Sequence, residues 1–184
     1  MGEEWPGEQP EETHDEDTDE PELRVVEHDD ADGLRIPDDV ELLEGEVRGA
    51  RRGVGVVLSR ENGGGANAML AAALEELDRV HVGREHVTVM LVPGAFELAL
   101  GAMALAKTRR FSCVIGLGDA SDHDVIASET ASGLQLAALE TGIPVSFGVL
   151  IEHGDAAERA VEAVRRGLEM ADLFQQLRAA AKAH

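Results

Sequence analysis

The chain has 184 residues, room for one domain with a sizeable core or for one domain and a tail. Its net charge of −21 is unevenly spread: residues 1–50 hold 20 Asp and Glu against 3 Lys and Arg, a net of −17, while the remainder carries only −4. The charge therefore belongs to a tail rather than to an acidic globule, and with no basic patch nucleic acid is excluded as the main partner.

The single Cys113 lies in the apolar run FSCVIG, which points to a buried reduced thiol and excludes a disulfide framework. There is no apolar leader at the N-terminus and no run of 18 apolar residues, so the expectation is a cytoplasmic protein without a membrane span. Aromatics are 3% of the chain and tyrosine is absent, which leaves Ala, Leu and Val to build the core.

Residues 1–43 open with EEWPGEQPEETHDEDTDEPE, rich in Glu, Asp, Pro and Gly. Such a segment buries too little apolar surface to offset its ordering entropy and is expected to be a disordered acidic tail. Trp5 is its one aromatic residue, on the plainer reading an exposed tail residue and otherwise an anchor for a protein partner. Residues 44–184 form the expected domain. GVGVVLS reads as a buried parallel strand, ended by the turn-prone RENGGG. From Asn67 to Val80, Met69, Leu70, Ala73, Leu74 and Leu77 recur at helical spacing.

The strand HVTVMLV follows, stopped by Pro93-Gly94, and then the Ala- and Leu-rich helix AFELALGAMALAKT. FSCVIGLG is a third strand, with a helix from about Ser121 to Thr141 after it. IPVSFGVL is a fourth strand, and Asp155 to Ala183 a last helix. This alternation predicts an α/β fold, a four-stranded parallel sheet flanked by helices on both faces. Ligands of such sheets bind beyond the carboxyl ends of the strands, here at 59–65, 92–97, 116–124 and 148–154.

Several segments resemble the lumazine synthase family, in order and at compatible spacing. LVPGAFEL (Leu91–Leu98) is similar to the family's VPGA-aromatic-E segment. IASET-x-x-GL (Ile126–Leu134), PVSFGVL (Pro144–Leu150) and GLEMADLF (Gly167–Phe174) also recur there. LSREN (Leu58–Asn62) resembles its S-R-F-N, and LEGEVRG (Leu43–Gly49) its leading E-G segment. The resemblance implies homo-oligomers, pentamers or multiples of them up to a hollow icosahedral shell, with active sites at subunit interfaces. It implies condensation of a ribityl-substituted diaminopyrimidine with a phosphorylated four-carbon dihydroxyketone, through imine formation, phosphate loss and ring closure. That reaction makes the riboflavin precursor and needs no cofactor. Carried over by position, Asn62, Ala95, Phe96, Glu97 and Phe147 would bind the small-molecule substrate.

Other positions depart from the family. Glu61 stands where its phenylalanine stacks on the pyrimidine, a contact worth about 1–3 kcal/mol. As a substrate-binding residue, Glu61 would favour an amine; the plainer reading is a solvated loop acid. GLGDASDHDV (Gly116–Val125) lacks the phosphate-gripping Arg and Thr, and Asp122 takes the place of the catalytic His, with His123 one residue later.

Asp122 or His123 would then move protons. The plainer reading is that Asp119 or Ser121 caps a helix whose first turn is acidic. A metal site from Asp122, His123 and Asp124 is disfavoured, since adjacent helical residues diverge. The family's lysine-bearing loop near the C-terminus is also missing, and Arg165 and Arg166 either compensate or are surface charges. These departures favour a diverged enzyme condensing an amine with a small carbonyl compound. The alternatives are the orthodox riboflavin enzyme and a non-catalytic oligomeric shell or binding protein.

Overall fold

The computed structural model describes residues 23–26 and 34–183. The chain divides between Leu42 and Leu43 into two units. In the first, β1 (Leu23–Val26) pairs antiparallel with β2 (Leu34–Pro37), with Leu23 opposite Pro37 and Val26 opposite Leu34. Both are short runs with β-branched residues, which accounts for strand pairing in a segment expected to have none. The rest of the tail expectation, Trp5 included, falls on residues outside the described ones.

The second unit contains all eight elements expected from the sequence: β3 (Val54–Ser59), α1 (Gly63–Arg79), β4 (Val87–Val92), α2 (Leu98–Lys107), β5 (Cys113–Asp119), α3 (Asp124–Thr141), β6 (Val145–Leu150) and α4 (Ala156–Ala183). The four strands form one parallel sheet in the order β4-β3-β5-β6. Side chains alternate across it. Val54, Val56, Leu58, Cys113, Ile115 and Leu117 face α1 and α4, and Val57, Val114 and Val149 face α2 and α3. Cys113 is free and wholly buried, and burial pushes its thiol up to about 12.

Two boundaries differ from the expectation. Helix α1 starts at Gly63, not Asn67, because the turn is completed within Ser59–Asn62: Asn62 takes up φ 50° and its carbonyl accepts the Ala66 N–H at 3.0 Å. Helix α3 starts at Asp124 rather than near Ser121, since Ala120–His123 is spent on a turn closed by His123 N–H to the Ala120 carbonyl at 3.0 Å.

The entry segment, residues 43–53, is tied to the C-terminal helix. Asp172 accepts from Arg52 Nη2 at 2.7 Å and from the Glu46 N–H at 3.2 Å, and Gln176 Nε2 donates to the Glu44 carbonyl at 2.8 Å. Two glycines permit close approaches of this segment, one to α4 and one to the end of α1. A Cβ at Gly45 would lie 2.4 Å from the Glu169 carbonyl oxygen, and one at Gly49 would lie 2.3 Å from that of Val80. Among the described residues no helix is long and apolar enough to cross a membrane.

Candidate active site

The carboxyl ends of β3, β4, β5 and β6 bring four loops to one edge of the domain. After β4, Pro93-Gly94 stops the strand and Ala95–Glu97 forms a single 3₁₀ turn leading into α2. Glu97 closes this turn, its Oε2 accepting the Gly94 N–H at 3.0 Å. From beneath, the Thr130 hydroxyl on α3 donates to the Ala95 carbonyl at 3.1 Å. The turn is thus fixed by two side chains and leaves Ala95 buried and Phe96 65% exposed.

Glu61, in the loop after β3, reaches across to the same turn, its Oε2 3.4 Å from the Ala95 nitrogen. Asn62 faces the other way and donates from Nδ2 to Asp119 Oδ2 at 3.0 Å. Its left-handed backbone fits a residue type that tolerates positive φ. Asp119, at the end of β5, also accepts the Ser121 N–H at 3.0 Å and the Ser121 hydroxyl at 2.6 Å. Burial alone would raise the Asp119 carboxyl. The hydrogen bonds from Ser121 and Asn62, with the charge of His153, outweigh burial and hold it below the ordinary carboxylate value.

Asp119 therefore braces two loops instead of capping α3. The residue that begins that helix is His123, which makes no side-chain cap. Asp122 and His123 are both exposed, and the group facing Asp122 is His153 of the β6–α4 loop, its Nε2 3.9 Å from Asp122 Oδ1. Sequence reasoning missed His153, although IEHGD directly follows a strand whose carboxyl end was already marked as part of the ligand edge.

Two expected groups stand apart. Phe147 lines a separate hollow of about 510 Å³ along the outer edge of β6, with Leu139, Met170 and Phe174. Arg165 and Arg166, the candidates to replace the family's lysine, are both paired with acids of the same chain. Arg165 Nε donates to Glu76 Oε1 at 2.7 Å, and Arg166 is bound to Glu162. Among the described residues no group of three or more His, Cys, Asp or Glu side chains is placed to hold a metal ion.

A parallel α/β sheet with carboxylates, an amide and imidazoles at its carboxyl edge belongs to the class of α/β proteins that bind polar small molecules at that edge. The family model for 6,7-dimethyl-8-ribityllumazine synthase matches residues 52–179. The 6,7-dimethyl-8-ribityllumazine synthase of Thermococcus kodakarensis is 34% identical over 154 residues, covering 76% of this chain and 97% of its own length. The chain belongs to the lumazine synthase family and is an enzyme of that transferase type. The resemblance carried by LVPGAFEL, IASET and PVSFGVL is borne out. Neither comparison favours the diverged or the non-catalytic reading over the orthodox one.

Proposed function

We propose that the protein condenses a ribityl-substituted diaminopyrimidine with a phosphorylated four-carbon dihydroxyketone, forming 6,7-dimethyl-8-ribityllumazine for riboflavin synthesis in the cytoplasm. The observation that carries this reading is the β4–α2 turn. Glu97 and Thr130 hold it rigid at the carboxyl edge of the sheet, in a chain that matches nearly the whole length of a lumazine synthase. A polyhydroxylated chain laid on this turn would meet carboxylate acceptors from Glu97 and Glu61, with Phe96 exposed beside them. Imine formation and ring closure are helped by proton transfers, which the exposed Asp122 or His123 would carry in this reading.

Homo-oligomeric assembly, as a pentamer or a multiple of it, is part of the proposal. Phe147 lies at a sheet edge apart from the other site residues, and Leu91 on the opposite edge strand is 61% exposed. A neighbouring copy that covered these edges would bring one subunit's Phe147 to another's Ala95–Glu97 turn. Residues 1–43 are proposed as a tail not needed for folding, open to a protein partner.

A second reading has one specific observation behind it. Glu61, Asp119, Asp122 and Asp124 lie at or just beyond the carboxyl ends of β3 and β5, and a phosphate bound beyond these strands would meet their negative charge. Two unit charges about 4 Å apart repel by about 4 kcal/mol at an effective dielectric near 20. That favours an unphosphorylated carbonyl partner for the same amine. Lumazine formation assayed with the phosphorylated ketone and with its dephosphorylated counterpart separates the two. Faster turnover of the phosphorylated ketone supports the first reading, and the reverse order supports the second.

A further inference from the structure

We infer that Asn62 and Gly63 form a self-modifying site, at which the Asn62 side chain loses its amide and the β3–α1 loop is released from Asp119. The modification stands on the chemistry of these two residues; its effect on turnover rests on the condensing activity proposed above.

The sequence contains two asparagines, Asn62 and Asn67, and only the first precedes a glycine. Cyclisation needs the backbone nitrogen of the following residue to reach the side-chain carbonyl carbon, and a Cβ on that residue stands in the way. Gly63 has none, and the two residues after it are glycines as well. Asn62 and Gly63 are both exposed. The Gly63 N–H opens α1, where no carbonyl of the helix can accept it, and it has no acceptor among the described residues. The Asn62 side chain makes no cap; it folds over the helix start, its Cγ 3.6 Å from where a Cβ on Gly65 would lie.

Two things hold the amide in place, and both are weak. One is the bond from Nδ2 to Asp119 at 3.0 Å, which is open to solvent. The other is the backbone, at φ 50° and ψ 60°, a left-handed conformation that a side chain disfavours. Ring closure requires ψ to leave this value, and the glycines at 63–65 let the chain turn with little steric hindrance. Asn67 is also exposed, but it lies inside α1 and is followed by Ala68, so neither its backbone nor its neighbour is free to react in this way.

The step balances with water as the co-reactant. The Gly63 nitrogen gives its proton to solvent base and attacks the Asn62 Cγ. The bond from Cγ to Nδ2 breaks, and the side-chain nitrogen takes a proton from solvent and leaves as ammonia. One water then opens the five-membered imide at either carbonyl, leaving an aspartate or an isoaspartyl link at position 62. Either product replaces the donor to Asp119 by a carboxylate. Like charges then meet where a hydrogen bond joined the two loops, and the loop that carries Glu61 parts from the end of β5.

The test holds the full chain in mildly alkaline buffer and follows the tryptic peptide of residues 61–79, which contains both asparagines, by mass and fragmentation. Asn62 should convert at least about tenfold faster than Asn67, with lumazine formation falling in step. Gly63→Ala should slow the conversion by at least about tenfold without lowering the melting temperature, because its Cβ would meet open space. Asn62→Asp, made directly, should show the reduced turnover of the aged protein. An Asn62 that lasts as long as Asn67, or that converts equally fast in Gly63→Ala, overturns the inference. Full turnover after complete conversion overturns the release of the loop. Absence of lumazine from the fresh, unaltered protein overturns the proposed function and the effect on turnover, while the mass of the peptide still decides the modification.

Discussion

Glu76 joins the two helices that cover one face of the sheet, and replacing it by Gln should reveal a stability with a defined pH window. Its carboxylate is 5% exposed and accepts from Arg79 Nε at 2.7 Å and Nη2 at 2.6 Å on α1, and from Arg165 Nε at 2.7 Å on α4. The Arg79 hydrogen bonds, opposed by burial and aided by Arg165, lower the carboxyl from 4.5 to about 2. At about 1.4 kcal/mol per unit this corresponds to about 3 kcal/mol, reduced to about 2 kcal/mol because both guanidinium groups are half in water.

The folded value lies below the unfolded one, so the contribution is fully present above the unfolded value of 4.5 and is lost as pH falls toward about 2. Urea unfolding of the unaltered protein and of Glu76→Gln, measured at several pH values, checks this. The variant should be less stable by about 2 kcal/mol at neutral pH, with the gap closing as the solution is acidified through that window. An equal gap at neutral pH and near pH 3, or no gap at neutral pH, would refute the reasoning.

Gly49→Ala should destabilise the domain by about 1–3 kcal/mol in the same assay, because its Cβ would sit 2.3 Å from the Val80 carbonyl oxygen, a backbone atom that cannot turn away. Asn62→Ala should slow lumazine formation by about tenfold and lower the melting temperature by only a few degrees, since it frees Asp119 from the β3–α1 loop and puts an alanine at positive φ while leaving the core intact. Removing residues 1–42 should leave melting temperature and assembly nearly as they were, the chain dividing into separate units at that point; a large loss of either by light scattering or calorimetry would count against it.

The fold was legible because hydrophobic texture and punctuation agreed along the whole domain. VGVVLS and CVIGLG are buried throughout as central strands, and Pro93-Gly94 stops β4 where the turn begins. Local helix starts were less legible. Three glycines in a row read as a loop, yet they form the first turn of α1, where a Cβ on Gly63 or Gly64 would meet only open space. At the site, the residues on the β4–α2 turn could be named because their spacing along one short segment is their spacing in the structure. His153 could not, because its partner Asp122 lies 31 positions away and only the pairing of β5 with β6 brings their loops together. Phe147 lies on β6, as read from the sequence, but one chain does not bring it to the turn; in the assembly proposed above the link would be made between copies, which no sequence spacing records.

The most direct test of the central claim is steady-state lumazine formation by the unaltered protein and by Glu97→Gln, corrected for the spontaneous reaction of the ribityl diaminopyrimidine with the phosphorylated dihydroxyketone. Glu97 fixes the turn through Gly94, and in the proposed function its carboxylate also accepts from a substrate hydroxyl. The account expects clear turnover by the unaltered protein and a loss of at least about tenfold in kcat/KM in Glu97→Gln, with assembly unchanged. Lumazine formed no faster than the spontaneous reaction, or at the same rate by both proteins, would contradict it.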